Sequence, residues 1–403
     1  MRFSWHSQSR VFLSDGAALG AADTATCPIP RSVLPDRPLG PALCGAMAAA
    51  MAGQNFRIAP TAGPLTQGLG ENEFEVLTSG SSGAPRVIRR GQNSWLASFA
   101  VNQRLFNLGI GTKVGILGRL STSLGLYALC EGLSLGADLY LYEGLRPDRQ
   151  AALILDQGVQ ILYATPAQLV LIADCAPPLM ANLAHLLVGG GRLDQNLAKT
   201  LAKLFPNAEI LQFYGASETS FITLCDMDTP PNSVGRPYPG VKIVLTSLQG
   251  KPVLAGDLGQ ILVKSSYVAL GYTDPTVQGA VWQDGYVSVG EWGRFEGPYL
   301  FLEGRATRMV TIADQNVFLE GVEAYLCSLK GVRQAFVLAE PDPKRGHRLR
   351  AIVQGNPACE AEVLAALRQE FGPLKAPKRL SFRTDWPLLP SGKVDASALE
   401  QTP

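Results

Sequence analysis

Between Val76 and Leu224 the sequence repeats one rhythm, in which a short aliphatic or β-branched run is followed by a helical pattern and then by another run. The runs "KVGILG", "ADLYLY", "VQILYAT", "HLLVGG" and "EILQFYG" alternate with segments such as "PDRQAALILDQG" and "DQNLAKTLAKLF". Runs this short and apolar fit buried strands, and strands joined through helices point the same way. The rhythm therefore predicts β-α-β units around a largely parallel sheet.

After the Pro-rich turn segment "DMDTPPNSVGRPYPG" the helical patterns stop. "VKIVLTS", "GQILVKSS" and "GYVSVGEWGRFEGPYLFLEG" read as directly linked strands, hence a separate antiparallel sheet or small barrel. Beyond Arg305 come a strand, a helix in "LEGVEAYLCSLK", a strand in "AFVLAE", the basic turn "PDPKRGHRLR", a strand in "RAIVQG" and a helix in "CEAEVLAALRQEFG". These make a compact α+β domain of about a hundred residues. A chain of 403 residues exceeds what one core usually supports, roughly 250 to 300 residues. The expected fold class is α/β. A large N-terminal domain over residues 1–304 combines β-α-β layers with the small antiparallel sheet or barrel, and a small α+β C-terminal domain follows over residues 305–403. The first seventy or so residues, rich in Ala, Gly and Pro, have a periodicity too weak to place elements.

Composition narrows the function classes. With 46% hydrophobic and 17% charged residues and a net charge of +1, nothing favours a nucleic-acid or acidic-polymer partner held by bulk electrostatics. The seven cysteines (Cys27, Cys44, Cys130, Cys175, Cys225, Cys327, Cys359) form no C-x-x-C pair and have no clustered His nearby, so they read as neither a zinc site nor a disulfide framework. The N-terminal "MRFSWHSQSRVFLSDG" lacks the apolar core of a signal peptide. "LGPALCGAMAAAMAG" is too short and Gly-broken to span a bilayer, which makes it a buried helix. The expectation is a cytoplasmic protein with no membrane span and no nucleic-acid partner.

One segment invites chemistry. In "TSGSSGAPR", after the apolar "FEVL", a strand runs into a loop of Gly, Ser and Thr. Gly lets the backbone approach closely, and converging N–H dipoles suit phosphate oxygens. The spacing is not the G-x-x-x-x-G-K-[ST] of P-loop nucleotide hydrolases. In isolation the segment is equally a flexible surface loop.

It is not isolated. "LTSGSSGAPR", "VGGGRLDQ", "FYGASETS", "SVGRPYPGVKI", "GQILVKSSYVALGY", "GYVSVGEWGRF", "LEGRATRMV" and "PLLPSGKVDASAL" follow one another from about Leu77 to Leu399. In that order they resemble the motifs of the adenylate-forming superfamily of acyl- and aryl-CoA synthetases, nonribosomal adenylation domains and luciferases. The resemblance implies activation of a small-molecule carboxylic acid by ATP with release of pyrophosphate. The acyl group would then pass to the thiol of CoA or of a carrier protein's phosphopantetheine arm. Two anions must meet in the first step, so catalysis is mostly positioning and charge neutralisation.

The resemblance also implies roles. Thr78, Ser79, Ser81 and Ser82, with the amides around Gly80 and Gly83 and the charge of Arg86, would hold the β- and γ-phosphates. Gly189, Gly190 and Gly191 would line the adenine pocket, and Tyr214, beside Gly215, Ala216 and Ser217, would lie against the adenine ring. Glu218 would carry Mg2+, which takes only one or two oxygens from protein. Glu291 would grip the ribose hydroxyls, and Arg305 would contact ribose or phosphate at the hinge of a mobile C-terminal domain. Lys393 would bridge the carboxylate and the α-phosphate, then withdraw with that domain. The catalytic set is Lys393, Glu218 and Arg305. Against these stand the plainer readings of a core Tyr214, a solvated Glu218 and a surface Lys393. The basic turn Lys344, Arg345, His347, Arg348 and Arg350 suits the phosphates of CoA or the carrier arm, and equally a solvated loop.

Four departures stand out. Arg86 replaces the usual lysine, trading a point cation for a planar fork. Glu291 stands where the family has Asp, Thr307 sits near a hinge position usually held by Asp or Lys, and Asp314 occupies a turn where the family prefers Gly. Less chain precedes the phosphate loop than in full-length members, which implies that part of the N-terminal subdomain is missing.

In "LGRLSTSLGLYALCEG", where the family lines its acid pocket, no Asp or Glu lies between Gly115 and Cys130. An amino acid's ammonium would be buried there unpaired, which disfavours that substrate class. Ser121, Thr122, Ser123 and Gly125, with Phe213, Ala216 and Phe221 at the other wall, suit an uncharged acyl or aryl acid. The hydroxyls tilt the choice toward a hydroxylated aryl acid, since an apolar tail would leave them unpaired, but aryl and fatty acids both stay open. The alternative class is a divergent, non-catalytic nucleotide-binding member acting as a binding or regulatory protein. Retention of Glu218, Arg305 and Lys393 weighs against it.

Overall fold

The five apolar runs lie side by side. The computed structural model describes residues 1–78, 85–277, 279–387 and 394–401. Among these residues, the strands Lys113–Ile116, Asp138–Leu141, Ile161–Ala164 and His185–Val188 run parallel with the first half of Glu209–Ala216 in one nine-stranded sheet. All four residues of Ile161–Ala164 are buried, as expected of a strand covered by helices on both faces. The intervening helices start where the side chains direct. Asp194 accepts hydrogen bonds from Asn196 N and Leu197 N at 2.9 Å to open Gln195–Leu204, and Thr165 and Gln168 cap each other at the head of Pro166–Asp174.

Two strands lie where the rhythm did not put them. Arg10–Phe12, from the uninformative N-terminal stretch, extends the sheet parallel to Asp138–Leu141, in the register Val11 with Leu139 and Phe12 with Tyr140. The strand Glu73–Thr78 stays out of the parallel sheet. It pairs antiparallel with Arg86–Gly91, from Glu73 with Gly91 to Thr78 with Arg86, and Arg86–Gly91 pairs in turn with Gly271–Tyr272. The Ala-rich run forms the helix Leu39–Ala52, buried through Leu43, Ala46, Met47, Ala49 and Ala50.

The chain divides into two compact units, Met1–Ile243 with Val263–Val287, and Val244–Leu262 with Ser288–Pro403. In the second unit, Glu291–Glu296 and Tyr299–Arg305 form an antiparallel hairpin, and a short one follows, Met309–Ile312 with Gln315–Phe318. Val332–Asp342 and Gly346–Gly355 are antiparallel, and Arg379–Arg383 joins parallel to the latter. The helices Leu319–Ser328 and Glu360–Lys375 pack on these strands through Val322, Leu326, Val363 and Leu367. Among the described residues no helix is long and apolar enough to cross a membrane.

Candidate active site

The first unit gathers several of the singled-out residues at the carboxyl ends of adjacent parallel strands, where open α/β sheets bind ligands. His185–Val188 ends at Gly189 and Ile161–Ala164 at Thr165, while Glu209–Ala216 turns back at once into the antiparallel Ser220–Leu224. A Cβ on Gly189 would stand 2.1 Å from the Phe213 ring, and one on Gly215 would stand 2.0 Å from the Ser220 carbonyl oxygen. Both positions therefore need glycine for close approach. Gly190 has φ +79°, and Gly191 faces Pro166.

Residues 216–220 close a tight turn. Thr219 N donates to Ala216 O at 3.1 Å, and Ala216 N donates back to Thr219 Oγ1 at 3.1 Å. Ser220 has φ +57°, in the left-handed region that non-glycine residues rarely occupy. Tyr214 lies buried on the strand leading in, and Glu218 sits at the turn with 9% of its surface exposed.

Glu218 is held from two sides. Tyr272 donates its hydroxyl to Glu218 Oε1 at 2.7 Å, and Ala269 N donates to the Glu218 carbonyl at 2.7 Å. Burial, followed by the charge of Glu218, raises the Tyr272 hydroxyl to about 12, so it remains a donor at neutral pH. Arg86 ends against the same spot, because a Cβ on Gly279 would meet both Tyr272 Oη at 2.3 Å and Arg86 Nη1 at 2.8 Å. Beneath the turn, Arg90 is wholly buried. Its Nη1 donates to Ser217 O at 2.5 Å, and its Nη2 donates to Ser220 Oγ at 2.7 Å, to Ser94 Oγ at 3.2 Å and to Tyr267 O. Burial lowers this guanidinium to about 9, opposed by the negative charge of Glu218, and it stays charged at neutral pH.

The second unit brings Glu291 and Arg305 together. They are directly opposed in the hairpin, and Arg305 Nε and Nη2 each lie 3.2 Å from Glu291 Oε1. Thr307 is exposed in the 3-10 turn Ala306–Arg308 that follows. Asp314 and Ala313 form the two-residue tip of the next hairpin with φ +61° and +48°, conformations that glycine adopts without strain. In the basic turn, Arg348 Nε and Arg350 Nε are each 3.0 Å from a Glu340 carboxylate oxygen, so that cluster is partly spent on an internal pair. Thr78 stands opposite Arg86. Ser79, Gly80, Ser81, Ser82, Gly83 and Lys393 lie outside the described residues.

The acid-pocket reading needs correction at three positions. Ser121 Oγ donates to the buried Asp36 Oδ2 at 2.7 Å. Thr122 Oγ1 donates to Arg119 O at 2.7 Å and accepts from Gly125 N, capping the helix Ser123–Leu135. A Cβ on Gly125 would fall 2.3 Å from the Arg119 carbonyl, so backbone fills the space a substrate was expected to use. The hydroxyls of Ser121 and Thr122 are thus already paired, which takes these two residues out of the argument for a hydroxylated acid. Phe213 and Phe221 do meet, with ring centroids 4.7 Å apart.

Sequence reasoning missed Arg90 and Tyr272. The signal for Arg90 was its phase, since Ile88 and Arg90 point to one face of Arg86–Gly91 and both are buried. Tyr272 ends a quoted motif, yet only the fold puts it beside Glu218.

The donor set fits Mg2+. Glu218 offers a hard carboxylate whose direct side-chain partner is a neutral hydroxyl, and a metal there would draw its other ligands from phosphates and water. Among the described residues no group of three or more His, Cys, Asp or Glu offers a metal cage.

Residues 74–273 match the family described as AMP-binding enzyme, and residues 321–393 match the AMP-binding enzyme C-terminal domain. The chain is 29% identical over 330 residues to a Bacillus subtilis protein named as uncharacterized acyl–CoA ligase YhfT, covering 81% of this chain and 67% of that one. It is 28% identical over 327 residues to the putative long chain fatty acid–CoA ligase VraA of Staphylococcus haemolyticus, covering 80% and 69%. Among solved structures, ATP-bound MatB from Rhodopseudomonas palustris superposes with a TM-score of 0.82 at 17% identity, covering 98% of this chain and 95% of that one.

Proposed function

The chain belongs to the AMP-binding enzymes, and from that premise we propose that it is an AMP-forming acid–thiol ligase working in the cytoplasm. A carboxylate oxygen of the substrate attacks the α-phosphorus of ATP, the bond to the bridging oxygen breaks, and pyrophosphate leaves. A thiolate then attacks the acyl carbon of the adenylate and expels AMP. CoA is the proposed donor of that thiol, in keeping with the names of the curated relatives. A carrier protein's phosphopantetheine arm carries the same thiol and is the alternative acceptor.

The observation that carries this reading is Glu218, fixed by Tyr272 on a tight turn at the carboxyl edge of the parallel sheet, with Arg86 against the same tyrosine. Glu218 would hold Mg2+, which supplies charge neutralisation for the phosphates. Arg86 would add a fixed cation where pyrophosphate carries its negative charge. Gly189, Gly190 and Gly191 would line the adenine, with Tyr214 beside it. Glu291 and Arg305, already paired, would take the ribose hydroxyls and a phosphate. Lys393, on a mobile domain proposed to begin at residue 305, would neutralise the carboxylate and the α-phosphate as they meet.

The acid is proposed to be uncharged and apolar, fatty or aryl. What supports this is the aromatic pair of Phe213 and Phe221, the paired state of the Ser121 and Thr122 hydroxyls and the name of the VraA relative. The test is pyrophosphate release from ATP across a panel of fatty and aryl acids, with and without CoA or carrier protein. Acid-dependent release that Lys393→Ala lowers by about 100-fold or more is expected. ATP binding with no release for any acid would favour the non-catalytic alternative.

A further inference from the structure

Arg90 is an expensive residue to keep. Its side chain is wholly buried, and among the described residues no carboxylate lies within ion-pair distance of it. All its hydrogen-bond acceptors are neutral oxygens, namely the Ser217 and Tyr267 carbonyls and the hydroxyls of Ser94 and Ser220. Burying a cation without a bonded anion costs more than filling the same volume with an apolar side chain. The neighbouring Arg89, one residue along the strand, spends its charge in the ordinary way, on Glu73 at 2.5 and 3.0 Å.

The acceptors share a logic. Ser217 precedes Glu218 and Ser220 follows it by two residues, so one guanidinium ties the Ser217 carbonyl on one side of that carboxylate to the Ser220 hydroxyl on the other. The third anchor, Tyr267, opens the segment whose Ala269 N bonds the Glu218 carbonyl and whose Tyr272 bonds the Glu218 side chain. Ser220 also donates to Tyr267 O at 3.1 Å, which closes a ring of contacts and holds Ser220 at its unfavourable φ of +57°. The Trp95 ring lies 5.4 Å from the guanidinium carbon and limits its movement.

We propose that Arg90 is a positioning residue that holds the turn bearing Glu218 in register with the segment bearing Tyr272, and so sets where the carboxylate stands when Mg2+ and nucleotide bind. This rests on the function proposed above for Glu218. A planar guanidinium holds its donors in a fixed fork and reaches the Ser217 and Tyr267 carbonyls and two hydroxyls together, an arrangement that a single-point ammonium does not fix and an apolar residue cannot make.

The test compares ATP binding by calorimetry with Mg2+ and with EDTA, for the unaltered chain, Arg90→Lys and Ser220→Ala, alongside melting temperature and pyrophosphate release. In the unaltered chain Mg2+ tightens ATP binding. In Arg90→Lys that enhancement falls by about tenfold, while ATP affinity in EDTA changes less than about threefold. Ser220→Ala shifts it in the same direction by a smaller factor and decides the matter if Arg90→Lys does not fold. Its melting temperature stays close to that of the unaltered chain. A full Mg2+ enhancement in the folded variants, whatever their melting temperatures, overturns the proposal and leaves Arg90 as core. If the unaltered chain shows Mg2+-linked binding that the variants lose, yet releases no pyrophosphate with any acid, the ligase reading fails and the role of Arg90 stands. Absence of Mg2+-linked binding in the unaltered chain overturns both.

Discussion

Tyr272 shows what a single hydroxyl does in this site. It donates to Glu218 Oε1 and accepts from Ala280 N at 3.0 Å, so it links the carboxylate to backbone on the far side. A hydrogen bond to a charged group is worth about 1.5–3 kcal/mol, so Tyr272→Phe should lower kcat for pyrophosphate release by about 10- to 100-fold. The ring still packs on Trp282, and the melting temperature should move little. Unchanged kcat in steady-state assays would remove Tyr272 from the site. The turn that bears Glu218 was legible as a motif, because it is local and continuous in sequence. Tyr272 and Arg90 were not, because what makes each of them matter is a partner far away in the sequence. Arg90 in particular sits in a run that looks solvated until the two-residue period of Arg86–Gly91 sorts Arg89 to one face and Arg90 to the other.

At the level of elements, the helix Ser123–Leu135 carries a titratable group that the proposed chemistry does not use. Glu131 is wholly buried and accepts from Asn102 Nδ2 at 2.8 Å, from the Tyr127 hydroxyl at 3.0 Å and from the Tyr163 hydroxyl. Burial raises it from the ordinary 4.5 to about 7, against the pull of those three donors. A carboxyl whose folded value is raised stabilises the fold below its unfolded value, and that contribution is lost as pH climbs through the folded one. Melting temperatures between pH 4.5 and pH 8 should therefore show the unaltered chain losing ground to Glu131→Gln as pH rises to about 7. The swing is on the order of 3 kcal/mol. A constant difference between the two proteins would contradict the assignment. The hairpin Met309–Ile312 with Gln315–Phe318 makes a simpler claim. Its tip places Ala313 at φ +48°, which costs alanine roughly 1 kcal/mol, so Ala313→Gly should raise the urea midpoint, and a fall would refute the strain. The five parallel strands were legible because apolar runs and helical periods are local. The pairing of Thr78 with Arg86 is local, but the placing of that pair beside Gly271–Tyr272 and outside the main sheet depends on a partner far along the chain that no window of sequence displays.

At the scale of the molecule, the change from β-α-β rhythm to directly linked strands was visible, and so was the closing α+β region. The place of Arg10–Phe12 was not, since its partner Asp138–Leu141 comes from far along the chain and its own composition is unremarkable. The proposed acid pocket was the least legible part. Hydroxyls at Ser121 and Thr122 looked available in sequence, but the fold spends them on Asp36 and on a helix cap. On the function proposed, this chain activates an acid with ATP. Its most direct measurement is pyrophosphate release in the presence of ATP, Mg2+ and a fatty or aryl acid, for the unaltered chain and for Lys393→Ala. Release is expected to require the acid and to fall by about two orders of magnitude in the variant. Release that ignores the acid, or that survives the loss of Lys393 undiminished, would contradict it.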